Sequence, residues 1–306
     1  MRIVSSEEIE AALLPRELVE TLRQAYRSET VTPDITRHTI QRPANTSGTM
    51  KLAPAWSNFQ AQGHANRGYI GCSVALDLPA GDKAEPSSGP TAQSGVYLLM
   101  SGDTGRPIAL FDGPRLALWR QCGLHALAAH YLSRSDASRL LVLDANVFTV
   151  RQLSAYCSVR DIRHVLFVGA SEAELKQFRT HTGFSKIQFS NTDDIAGAIA
   201  GADIIFTSDN GLSVLEETPP TEGVHISVVG TSPDLPSDLS ARARLFVGDR
   251  QDAAAAKLSE IAADLKELAQ GLKAGRRFYQ QITLFAGGDT GGLADFATAG
   301  HVFLRS

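Results

Sequence analysis

From Arg139 onward the chain alternates short, continuous apolar runs with helical patterns, and this alternation leaves few folds open. Leu140–Leu143, His164–Val168, Lys186–Phe189, Asp203–Thr207, His225–Val229 and Arg244–Val247 read as strands. Val150–Tyr156, Glu172–Thr182 and Asp193–Ala200 read as helices between them. A strand that is apolar on both sides must be covered on both sides. Parallel neighbours need a crossover long enough to return, and a helix supplies it. The pattern therefore predicts an α/β domain with a Rossmann-like, doubly wound parallel sheet. A long helix is expected over Ala253–Leu272, then a strand at Ile282–Phe285 and a helix near Leu293–Ala299.

The preceding part reads differently. Ser6–Ser28 has helical spacing, with Leu18, Val19, Leu22 and Tyr26 on one side and Glu7 and Glu8 in the first turn. Strand signals follow at Arg37–Arg42, Thr49–Leu52, Tyr69–Leu78, Gly95–Met100 and Pro107–Phe111, with a polar, Pro- and Gly-rich loop over Pro79–Pro90. Pro114–Ser133 is a long helix with Pro114 in its first turn. The expected division is a β-rich α+β domain at 1–113, to which the resemblance described below assigns substrate binding and dimerisation, and a Rossmann-like domain with its entry helix at 114–278. A tail at 279–306 should lie beyond the sheet and return to the first domain.

Composition removes several function classes. The 306 residues carry a net charge of −4, with Lys and Arg scattered, so no basic patch marks a nucleic-acid surface. No run of about 18 apolar residues marks a membrane span. The opening MRIVSSEEIEAALL lacks the charged-then-apolar order of a signal peptide, which makes a cytoplasmic protein the expectation. Cys72, Cys122 and Cys157 are widely spaced, and no paired histidine motif occurs, so neither a disulfide framework nor a metal site is expected.

Taken in order, several short motifs resemble those of the ornithine cyclodeaminase/mu-crystallin family over nearly the whole chain. Thr104-Gly105-Arg106-Pro107-Ile108-Ala109 resembles its "TGxPxA", followed by Arg120 at the place of an invariant arginine. Pro90-Thr91 resembles an upstream Pro-Thr pair, and His225-Ile226-Ser227-Val228-Val229-Gly230 resembles "HINAxG". Ile282-Thr283-Leu284-Phe285 resembles "ITxFD", with Ala286 in place of the acid. The resemblance implies a homodimer joined through the first domain and an active site in the cleft between domains. It further implies NAD(H) or NADP(H) as cofactor and chemistry that passes through an imine of an amino acid.

The residues at the implied site depart from that pattern. The family's G-x-G-x-x-A loop, whose glycines let a backbone approach the pyrophosphate, aligns with Asp144-Ala145-Asn146-Val147-Phe148-Thr149. Asp144 puts a carboxylate where the pyrophosphate would lie, and Phe148 is expected to add bulk where the helix opens. The tip of the next strand, Val168-Gly169-Ala170-Ser171, offers no ionisable group to a ribose. The family's catalytic Lys and Asp align with Ser73 and Ser232, neither of which is a charged acid or base at neutral pH.

What the resemblance implies for ligand binding is retained in part. Arg120 is expected to hold a carboxylate, with a salt bridge to Asp112 as the structural alternative. Lys51 is a second candidate cation, Thr91 matches a cleft residue, and Arg37 is a weaker candidate. Gly287–Gly292 is glycine-rich, either an anion-binding turn or a plain flexible one.

The expectation is therefore a diverged family member that binds a small amino-acid-like carboxylate with no nicotinamide cofactor. An NAD(P)-dependent imine reductase, amino-acid dehydrogenase or cyclodeaminase with a rebuilt site, and a structural or regulatory pseudoenzyme, stay open as alternatives.

Overall fold

The structure is a computed structural model that describes residues 1–43, 46–60, 68–78, 94–230, 234–250, 258, 260–287 and 291–306. The chain divides into two compact units, Met1–Gln121 with Gly291–Ser306, and Cys122–Thr290. These boundaries differ from those expected at 113 and 278.

Unit 1 opens with β1 (Arg2–Val4), a three-residue edge strand too short to leave a sequence pattern. Helices α1 (Ser6–Ala12) and α2 (Pro15–Arg27) follow, where one helix over Ser6–Ser28 was expected. The break has a steric cause. Leu14 precedes a proline and is held extended, and Pro15 then starts α2. Ser5 and Glu8 form a reciprocal capping box on α1. Helix α2 buries Leu18, Val19, Leu22 and Tyr26.

The strands β2 (Thr36–Gln41), β3 (Ser47–Trp56), β4 (Tyr69–Asp77), β5 (Ser94–Ser101) and β6 (Pro107–Asp112) form an antiparallel meander. With β1 parallel to β6, the sheet order is β1-β6-β5-β4-β3-β2. Helix α3 (Gly113–Leu132) then runs from unit 1 into unit 2. Asp112 starts it by accepting the Arg115 N–H at 2.9 Å.

In unit 2 the elements are β7 (Arg139–Val142), α4 (Val150–Cys157), β8 (His164–Val168), α5 (Glu172–Arg179), β9 (Gln188–Thr192), α6 (Ile195–Ala200) and β10 (Ile204–Ser208). They continue with α7 (Leu212–Glu217), β11 (His225–Val229), α8 (Ser237–Arg242), β12 (Arg244–Val247), β13 (Ile261–Asp264), α9 (Leu265–Ala269) and β14 (Thr283–Ala286). Among the described residues the eight strands form one all-parallel sheet, ordered β13-β12-β14-β11-β10-β7-β8-β9. The expected doubly wound domain is present. Helix α10 (Gly291–Arg305) returns to unit 1 and packs on α2, β3 and β4.

Two expectations fail here. The helix over Ala253–Leu272 is not continuous. Ile261–Asp264 is a strand beside β12, Glu260 has a left-handed φ of 56°, and helix resumes at Leu265 under an Asp264–Glu267 capping box. Pairing to the sheet edge overrides the helix propensity of an Ala-, Leu- and Lys-rich run; residues 251–257 and 259 lie outside the described residues. The second correction concerns β14, expected in a tail beyond the sheet. It pairs between β11 and β12, and all four of its residues are buried. Arg276 pins the approach, donating to the carbonyl oxygens of Leu132 at 2.7 Å and Val224 at 3.0 Å.

A buried polar pair sits inside this apolar unit. The imidazole Nδ1 of His125 on α3 lies 2.8 Å from the Ser227 hydroxyl on β11. Burial pulls His125 down to about 3, and burial followed by the Arg276 charge holds His225 well below the usual imidazole range. Both are neutral in the folded state at neutral pH.

A group depressed in the folded state contributes stability that is full above its unfolded value near 6.5 and is lost as pH falls towards the folded value. Urea midpoints should therefore drop between pH 6.5 and 4, with each such histidine adding at most about 1.4 kcal/mol per pH unit. His125→Gln should flatten that slope by one proton. An unchanged slope would mean that His125 is charged in the fold.

Candidate functional site

Five predicted or newly seen polar side chains gather in unit 1. The β3–β4 ladder sets Lys51 opposite Ala75 and Ala53 opposite Ser73, so Lys51 and Ser73 share a face. Tyr97 lies opposite Ser73 on the next strand and joins that face. The helices bring the rest: Arg120 from α3 and Asp295 from α10. Lys51, Ser73, Arg120 and Asp295 line one recess with Gly95 and Pro114. Its volume is about 20 Å³, room for roughly one water.

Arg120 is held by Asp295, not by Asp112. Its Nε lies 3.1 Å from Asp295 Oδ1, and the two side chains are only 12% and 6% exposed. Asp112 is engaged elsewhere, accepting from the Ser6 hydroxyl at 2.5 Å as well as capping α3. The Tyr97 hydroxyl is buried and has no hydrogen-bond partner among the described residues. Burial first, then the nearby Asp295 charge, raise its phenol well above the usual value. Gly71 is required here, because a Cβ would land on the Tyr97 hydroxyl.

Of the other predicted residues, Arg37 stands opposite Lys51 in the β2–β3 ladder but does not line the recess. Thr91 and Ser232 lie outside the described residues, as do 288–290 of the glycine-rich stretch.

The loop predicted from the lost glycines lies in unit 2, after β7. This is the point where the strand order reverses, with β8 on one side of β7 and β10 on the other. Asp144 caps a short 3-10 turn over Ala145–Val147, its Oδ1 accepting the Asn146 N–H at 3.2 Å. Its Oδ2 accepts the Ser208 hydroxyl at 2.5 Å from the tip of β10. Helix α4 begins only at Val150, capped by Thr149. The expectation for Phe148 is corrected. Its ring does not obstruct the loop; it is 2% exposed and packs 4.9 Å from Phe206 and 5.8 Å from Phe178, centroid to centroid. At the tip of β8, Gly169 has φ +67°, and Ser171 and Glu174 close a capping box.

Two acids escaped the sequence reading. Asp209 follows β10 and faces Gly230, where a Cβ would collide with its carboxylate; burial raises its acid. Asp209-Asn210-Gly211 reads simply as a turn. Asp295 lies on the last helix, far from Arg120 in sequence, and no local pattern ties the two together.

The ornithine cyclodeaminase/mu-crystallin family model matches residues 2–305. A Delta(1)-pyrroline-2-carboxylate reductase from Bacillus cereus is 27% identical over 238 residues, 71% of each chain. Among solved structures, the Delta(1)-pyrroline-2-carboxylate reductase of Thermococcus litoralis, in complex with NADH and L-proline, superposes with a TM-score of 0.78 at 21% identity. That match covers 100% of this chain and 97% of the other. The iminosuccinate reductase of Paracoccus denitrificans, in complex with NAD+, gives 0.76 at 19% identity, covering 100% and 96%. At these identities the structures establish the shared fold.

Breaking a buried ion pair from one side strands the other charge and costs about 3–5 kcal/mol. Asp295→Ala should lose stability on that scale, measured by urea unfolding, whereas Arg120→Met combined with Asp295→Leu should lose far less. Equal losses in both variants would mean that the pair is not coupled.

Proposed function

Since this chain belongs to the ornithine cyclodeaminase/mu-crystallin family, we propose that it binds a small amino-acid-like carboxylate without the ordinary nicotinamide chemistry. The observation that carries this reading is the side chain of Asp144. A pyrophosphate at this kind of loop is held by open backbone N–H groups at a helix start. Here a carboxylate takes one of those N–H groups and a neighbouring hydroxyl. Asp209, a second acid, follows the adjacent strand. Two unit charges of one sign 4 Å apart repel by about 4 kcal/mol at an effective dielectric of 20. These residues do not suit a dinucleotide bound in the usual way, and no reaction step is assigned to one.

The ligand class rests on unit 1. Lys51 and the Arg120–Asp295 pair place two cations and one acid on a single recess, which at about 20 Å³ admits about one water and so has to widen to take a ligand carboxylate. A guanidinium whose plane is fixed by a buried carboxylate is preorganised for a second planar anion. Ser73 offers a hydroxyl at the position where family members carry a Lys, so it orients a ligand and does not move a proton at neutral pH. The same reading includes a homodimer.

A second reading is favoured by the family match along the whole chain and by relatives named as Delta(1)-pyrroline-2-carboxylate reductases. It is NAD(H)-dependent reduction of a cyclic imino acid, with Asp144 displaced on binding. Melting temperatures separate the two. A ligand at a hundredfold excess over its Kd stabilises by about 2.7 kcal/mol. The first reading expects an upward shift with L-proline, L-ornithine or pyrroline-2-carboxylate that Arg120→Ala abolishes, and no shift with NADH or NADPH. A clear NADH or NADPH shift would sink it in favour of the second.

A further inference from the structure

The two faces of the β7–β8–β9 part of the sheet in unit 2 are covered unequally. Leu140, Val142, Val165 and Phe167 point to one face and join the aromatic core of Phe148, Phe178 and Phe206. The other face is fixed by register: Arg139 opposite His164, Leu141 opposite Leu166, and Leu166 opposite Ser190. Its cover is α6, whose six residues are too few to roof three strands. Ala198 of α6 packs with Leu141 and Leu166, and beyond it the face stays open as a groove of about 380 Å³.

This groove is chemically two-ended. Much of its exposed lining is polar, and Leu141, Leu166, Ala198 and Ala202 supply a smaller apolar floor and wall. Arg139, His164 and Ser190 stand at its mouth. The Arg139 guanidinium lies over Gly201, where an added Cβ would come within 3.0 Å of its Nη2, so the glycine lets the cation lean into the groove. Arg139 makes no side-chain ion pair among the described residues, and no acid lines the groove. Arg139 opens β7 whereas Asp144 follows its other end, so the groove and the loop lie at opposite ends of that strand.

We propose that this groove is a second ligand site, for a small monocarboxylate with a flat apolar body. The volume falls within the range of about 300–1,000 Å³ of small-molecule sites. The Arg139 fork takes the carboxylate through two hydrogen bonds. The slot between the pleated sheet and the small residues of α6 takes the apolar body. The proposal is independent of the reading given for Arg120.

A methyl NMR titration of the full-length protein tests it, with phenylacetate as the probe and phenylacetamide as its neutral match. Phenylacetate should shift the Leu141 and Leu166 methyl signals saturably. The amide, and Arg139→Gln with phenylacetate, should bind about tenfold more weakly, as expected for a lost charge-assisted contact. Ser190→Trp, an exposed change that fills the mouth, should abolish the shifts at an unchanged melting temperature. The proposal is overturned by an absence of saturable shifts, by equal binding of the amide, or by undiminished binding to Arg139→Gln. Shifts confined to residues around Arg120 overturn it and leave the first site standing. Concentration-dependent broadening of the same methyls without probe assigns the groove to a second copy of the chain and overturns it too.

Discussion

Burial of the central strands from both sides governs where polar chemistry can sit in unit 2. Strand β10 is buried at every position, and β14 likewise. A polar side chain pointing from such a strand has no water and must find a partner inside. His125 with Ser227, and His225 with Thr283, are the result. Groups meant to meet solvent or ligand are pushed to the strand ends. Asp144, Ser208 and Asp209 gather at one end of the sheet, Arg139 and His164 at the other.

Unit 1 follows a different rule. Its strands are largely half-buried, and the helices lie on one face only in part. Side chains on the covered face therefore include charged ones, provided that each is matched. Arg120 and Asp295 are matched to each other. Desolvating both charges is costly, so such a pair adds more to geometry than to stability. The recess is accordingly a place of fixed orientation.

Much of this was legible in the residues, for local reasons. Continuous apolar runs marked β7, β8, β10, β11 and β12, because burial on both faces leaves an unmistakable pattern. The helix of α3 showed through its length and its proline. The failures were nonlocal or very short. Pairing with β12 made a strand of Ile261–Asp264, whose own composition favours helix. The place of β14 depends on which strands flank it, and no property of Thr283–Ala286 names those neighbours. At the candidate site, the changed residues at 144, 146 and 73 could be read from alignment with family motifs. The partner of Arg120 could not, since it arrives from the last helix of the chain.

The position of β14 has a consequence for how the molecule assembles. Strands β11 and β12 are not neighbours; each is bonded to a strand made some forty to sixty residues later than itself, by the order of the sequence. Until Thr283–Ala286 emerges from synthesis, both carry open edges with unpaired N–H and C=O groups, the feature that invites pairing with another chain. Closing the sheet also means closing long loops, which slows folding. Strand β14 thus acts as a keystone: completion of the described sheet waits on it.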